Sequence, residues 1–157
     1  MDKNYLNIYN NLVKFSRNKI IYSFFTKNDT FSDRLIILMF HFAFFISFYK
    51  KSINKEEMQN LYDFFFRQLE LSIREIGYGD ATINKKMKNY INTFHAILID
   101  LNNWSDMDIL KKNEIIKKFL DYEVKFNNLS EYFDKYNDLL RKKSFNSFLK
   151  SVINLEI

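Results

Sequence analysis

Leu35-Ile36-Ile37-Leu38-Met39-Phe40-His41-Phe42-Ala43-Phe44-Phe45-Ile46-Ser47-Phe48-Tyr49 is the most apolar run in the chain, and its reading decides the fold. As a helix rising about 1.5 Å per residue it covers roughly 22 Å, short of the roughly 30 Å hydrocarbon core of a bilayer. It encloses His41 and ends at Lys50-Lys51. The reading is therefore the central helix of a globular core, touched on several sides by others, with dipping into a membrane or binding an apolar partner as the alternative. Thr30 and Asp33 stand three residues apart just ahead of it, the spacing of a helix-starting capping box.

Working outward, the apolar residues from Tyr5 to Phe15 return at helical spacing, and a short second piece runs from Asn18 to Phe25. The polar stretch Thr26 to Thr30 then reads as a loop. Downstream, Asn54 with Glu57 starts a helix whose apolar face includes Met58, Leu61, Phe65, Leu69, Ile73 and Ile76. Gly77 follows the last of these, where a left-handed residue ends a helix, so the turn is Gly77 to Ala81. The next helix runs from Thr82 or Ile83 to Leu101 and is broken by Asn102-Asn103. Ser105 with Asp108 gives another capping pattern, opening a helix through Ile115 and Phe119 that is interrupted near Asn127-Asn128. A last helix follows Ser130.

The 157 residues are 47% apolar and 27% charged, enough for one real core and unlike a disordered chain. With no proline and two glycines, the turn punctuation of all-β folds is missing, although an AT-rich genome would also deplete these residues. The expectation is a soluble, all-α, single-domain bundle (residues 1–157) of six to seven helices around one aromatic-rich core. No repeat, linker or low-complexity segment argues for a second domain.

Chemistry finds little to stand on. Without cysteine there is no disulfide, thiolate ligand or cysteine nucleophile. No Gly-Lys-Ser/Thr follows either glycine, which excludes a phosphate loop. His41 and His95 lie on different helices without HExxH spacing and read as core or boundary residues rather than ligands. No Gly-x-Ser-x-Gly elbow or paired-carboxylate motif occurs. No enzyme, metal or cofactor is expected. The net charge is +5, with the basic excess ahead of Lys51. That suits an anionic membrane surface or RNA as well as plain solubility. Met1-Asp2-Lys3-Asn4-Tyr5 has no continuous apolar leader, so a cytoplasmic protein is expected.

The segment Arg74-Glu75-Ile76-Gly77-Tyr78-Gly79-Asp80 has a purely structural explanation. Gly77 ends one helix, Gly79 relaxes the turn, Asp80 or Thr82 caps the next helix, and Arg74 faces the negative end of its own helix. Yet Arg-Glu-x-Gly-x-Gly-Asp followed by Lys85-Lys86-x-Lys88 also resembles the ubiquinol-cytochrome c chaperone family. The likeness extends to Leu61-Tyr62-Asp63, to His41 within its apolar helix, to Asp29-Thr30-Phe31 with Arg34, and to Arg17 followed by Tyr22. It covers roughly Ile8 to Phe94. Two departures stand out. Gln68-Leu69-Glu70 replaces Asp-Met-Asp, and His95-Ala96-Ile97 replaces Tyr-Gly-Arg, so no role of that arginine carries over.

The resemblance implies a non-enzymatic assembly factor that attends newly made cytochrome b, or another respiratory-complex subunit, at the inner membrane. In mitochondrial relatives it also implies ribosome association. The location would be the bacterial cytoplasm, peripheral to the inner membrane, or the mitochondrial matrix. DNA is not an expected partner. The partner-binding residues it points to are Arg74, Gly77, Gly79 and Asp80, with Lys85, Lys86 and Lys88 in support. Two other readings stay open: an RNA- or ribosome-binding module using the lysine clusters, and a carrier of an apolar small molecule lined by Phe42, Phe44 and Phe45.

Overall fold

The computed structural model describes residues 4–120 and 123–154. Most of the leader reading therefore falls on residues 1–3, outside the described residues. The elements are α1 (Tyr5–Ser16), α2 (Lys19–Ser23), α3 (Phe31–Tyr49), α4 (Lys55–Arg74), α5 (Asp80–Asp100), a 3-10 turn (Trp104–Asp106), α6 (Ile109–Phe119), α7 (Phe126–Arg141) and α8 (Phe145–Lys150). Six of these helices have eleven to twenty-one residues, and α2 and α8 are short. No strand forms among the described residues, only an isolated antiparallel bridge between Phe25 and Val124. The all-α reading holds.

α3 starts where the capping pattern places it. The Asp33 backbone N–H donates to Thr30 Oγ1 at 3.2 Å, and the Thr30 N–H donates to Asp33 Oδ2 at 2.8 Å. The helix is longer than its apolar run. Nineteen residues rise about 28 Å, so length and composition alone would allow it to cross a membrane. Burial decides instead, because two thirds (67%) of its most apolar window is enclosed by protein. α1, α5 and α7 pack around it.

Aromatic rings fill the centre. Phe42 stacks on Phe65 of α4 at 3.9 Å between centroids and on Phe94 of α5 at 5.1 Å. On another side, Phe44 stacks on Phe133 of α7 at 5.2 Å, and Phe45 meets Phe148 of α8 edge-on at 5.3 Å. All seven rings are buried. His41 is fully buried among them. Its Nδ1 is 2.7 Å from the Ile37 carbonyl, which can only accept, so Nδ1 carries the proton and Nε2 accepts from the Tyr132 hydroxyl at 2.7 Å. Burial lowers the His41 pKa to about 4, against a smaller opposing effect of the Ile37 hydrogen bond. His41 is a satisfied core histidine.

Contacts fix the helix directions. Tyr5 meets Glu57 and Phe64, and Tyr9 meets Phe65, so α1 runs parallel to α4. α3 and α5 both run antiparallel to α4, as the Phe42–Phe65 and Tyr62–His95 pairs and the short connections require. One end of the molecule thus gathers the C-termini of α1 and α4, the N-termini of α3 and α5, and α2. The other end, one length of α4 or about 30 Å away, gathers the opposite termini.

Three boundaries differ from the sequence reading. Asp108, not Ser105, caps α6, accepting from the Lys111 N–H at 2.8 Å, because Ser105 lies within the 3-10 turn. Asn127-Asn128 lie inside α7, and Ser130 is buried in its interior, bonding to Asn113 at 2.6 Å. α6 instead ends at Phe119, α7 starts at Phe126, and α8 follows with Ser144 as its cap. Asn103 does break the chain after α5, at φ 64°.

Candidate partner-binding site

The predicted site residues meet at the tip of the α4–α5 hairpin. Past α4 the chain continues in turns, with the Ile76 N–H on Ile73 O and the Gly77 N–H on Arg74 O. Gly77 then reverses it at φ +103°. A Cβ there would meet nothing within 4 Å, so the demand for glycine is conformational and not a matter of space. Gly79 makes no such demand. Its φ is −72°, its surroundings are open, and it occupies the cap position of α5.

Two expectations for this turn are corrected. Asp80 does not cap α5 but is its first residue, and no side chain caps that helix. Its carboxylate instead accepts from Arg74 Nη1 at 2.5 Å. Arg74, expected to face its own helix end, reaches across the turn to Asp80 and back to Glu70 at 3.7 Å. The guanidinium pKa is raised, chiefly by the hydrogen bond to Asp80. The pair joins the last residue of α4 to the first of α5. With 85% of the Asp80 side chain in solvent, it contributes little stability.

The lysines lie on the second and third turns of α5. Lys85 and Lys88 are exposed, and Lys86 places Nζ 4.7 Å from the centroid of the Tyr78 ring. None of the three makes an ion pair with a described residue. Beside them, Leu71, Ile76 and Tyr78 project into solvent, 48%, 56% and 43% exposed. Ile20 and Phe31, also exposed, stand at the same end of the molecule. The helical stripe had placed Ile76 with the buried face, but α4 has already ended at Arg74, so Ile76 leaves that face. Leu71 was legible in principle as an apolar residue off the stripe of Leu69 and Ile73.

The carrier residues are placed differently. Phe42 and Phe45 are packed among other rings, and of the three only Phe44 borders an open groove, one of about 640 Å³ at the opposite end. A second groove of about 820 Å³ adjoins it, sharing Ile46, Lys50, Lys51 and Leu98. His95 lies there, exposed, with Nε2 3.0 Å from the Tyr62 hydroxyl. Among the described residues, no group of three or more histidine or acidic side chains is close enough to hold a metal ion.

Helices packed around a buried aromatic centre, with an exposed apolar and basic tip, define an all-α protein. The comparisons give its family. The ubiquinol-cytochrome C chaperone family matches residues 25–106, from the end of α2 to the 3-10 turn, and the chain belongs to it. It is accordingly a chaperone of ubiquinol-cytochrome c reductase assembly. The fold is similar to the crystal structure of the Cbp3 homolog from Brucella abortus, with a TM-score of 0.69 at 23% identity. That match covers 96% of this chain and 88% of the other. No curated protein sequence matches the chain.

Proposed function

We propose that the chain holds newly made cytochrome b at the surface of the inner membrane while ubiquinol-cytochrome c reductase assembles, and that the tip of the α4–α5 hairpin makes the contact. The observation that carries this reading is the coincidence, at one end of the molecule, of solvent-facing Leu71, Ile76 and Tyr78 with Lys85 and Lys88, which pair with no described carboxylate. Apolar side chains can cover an apolar client segment, and a basic rim favours an anionic bilayer surface. Gly77 and the Arg74–Asp80 pair hold the turn in shape, and Gly79, which the fold does not need, leaves the backbone bare for close approach. The setting is a bacterial cytoplasm or a mitochondrial matrix. No bond is made or broken in this role, and no cofactor is called on.

The test is recovery of cytochrome b with the tagged chain from detergent-solubilised membranes, beside an unrelated membrane protein as control. Selective recovery that falls in Asp80→Ala and in Ile76→Ser/Tyr78→Ser supports the reading. Equal recovery of both membrane proteins at low salt removes it. Recovery of ribosomal RNA that disappears steeply with salt would favour the translation-linked alternative.

A further inference from the structure

The larger groove lies at the end of the hairpin away from the tip, and the proposed client contact does not involve it. Its floor and walls come from three helices: Ile46 at the end of α3, Met58 and Tyr62 in the first turns of α4, and Phe94 and Leu98 late in α5, with Ile53 closing one side. At about 820 Å³ it falls within the roughly 300–1,000 Å³ of small-molecule sites. Among the described residues its charges are all of one sign: Lys50, Lys51 and Lys55 line it, and no described acidic side chain does. All three lysines are exposed, and none pairs with a described carboxylate.

Local structure accounts for part of this pattern only. Lys50 and Lys51 follow the C-terminus of α3, where a cation is favoured by the helix dipole. Lys55 is the first residue of α4, where a cation is disfavoured. The nearby acids do not turn into the groove. Glu57 accepts from the Tyr5 hydroxyl of α1 at 3.3 Å, and neither it nor Glu56 lines the space. One polar pair sits in the apolar wall, the Tyr62 hydroxyl and His95 Nε2 at 3.0 Å. When the hydroxyl donates to Nε2, the His95 Nδ1–H is a further donor on the same rim.

We propose that this groove binds a single-chain amphiphile with an anionic head, a long-chain fatty carboxylate. The chain lies on the half-buried Ile53, Met58, Tyr62 and Leu98, and the carboxylate meets Lys50, Lys51 and Lys55. An apolar trough with a purely cationic mouth is complementary to that ligand at both ends. A neutral lipid would leave the lysines unused.

The test is titration of the intact chain with dodecanoate and hexadecanoate below their aggregation limits, against 1-dodecanol and dodecyltrimethylammonium as head-group controls. Saturable 1:1 binding is expected, with dodecanoate favoured over dodecanol by roughly tenfold. Four more methylenes should tighten binding by roughly tenfold or more. The Lys50→Gln/Lys51→Gln/Lys55→Gln variant, altered only on the surface, should lose the preference for the anion and keep the affinity for dodecanol. Leu98→Trp, with its fold checked by circular dichroism, should weaken both. Absence of saturable binding, equal affinity for the three heads, or indifference to the lysine changes would overturn the proposal. Binding of an acidic amphipathic helical peptide without binding of dodecanoate would overturn it too, assigning the groove to a protein partner. None of these readouts depends on cytochrome b.

Discussion

The middle of α3 and the tip of the α4–α5 hairpin are opposites. Around Phe42 and His41 every described buried side-chain nitrogen and oxygen has a hydrogen-bond partner, and the rings are covered. At the tip, apolar side chains face water, an ion pair is mostly solvated, and the backbone at Gly79 is bare. The first region is arranged for stability, and changing it should affect folding. The second contributes little to stability, and changing it should affect what the protein binds.

The comparison breaks first, if it is wrong, at Phe42. Phe42→Ala removes a ring stacked between Phe65 and Phe94 and should cost about 3–5 kcal/mol in urea unfolding. A loss below about 1 kcal/mol would mean that the core is far looser than its packing. Next comes acid. The His41 pKa of about 4 lies below its unfolded value of 6.5, so between these the unfolded chain binds the extra proton. Its contribution is fully present above pH 6.5 and is lost as the pH falls towards 4, by about 3 kcal/mol. A His41→Gln variant should lack this part of the pH dependence, which denaturation midpoints at pH 7 and pH 4 would compare.

Smaller effects sharpen the description of the tip. Gly77→Ala forces an L-residue to φ +103° and should cost about 1–2 kcal/mol, whereas Gly79→Ala should leave the melting temperature unchanged. Equal effects would mean that the turn is not held by Gly77. Smallest in stability is Asp80→Ala, expected to melt with the parent chain while recovering less cytochrome b. A variant that unfolds and binds less together would make the Arg74–Asp80 pair a folding element only.

Much of the fold was legible because helices announce themselves locally. The Thr30–Asp33 box, the Asn54 cap and the positive φ at Gly77 each follow from neighbouring residues and backbone sterics. The C-terminal third was harder. Ser105, Asp108, Asn127 and Ser130 are all plausible caps, and the sequence offers no local means of ranking them. Docking of α7 on α6 and α3 decided the matter, burying Ser130 and placing Trp104 Nε1 at 2.8 Å from Asp134. The site divides in the same way. The tip is one contiguous segment, so its residues could be named from their order. The groove joins the end of α3, the start of α4 and the end of α5, and no motif connects them.

By itself, then, the sequence determined the helical class, the turn at Gly77 and the family. All of these depend on spacing within a few residues or on a short ordered pattern. Tertiary structure alone decided that Arg74 clasps Asp80, that Ile76 faces solvent, and that Lys50, Lys51 and Lys55 ring an apolar trough. These depend on how the helices are placed against one another, and that placement is set by the summed packing of aromatic residues far apart in the chain.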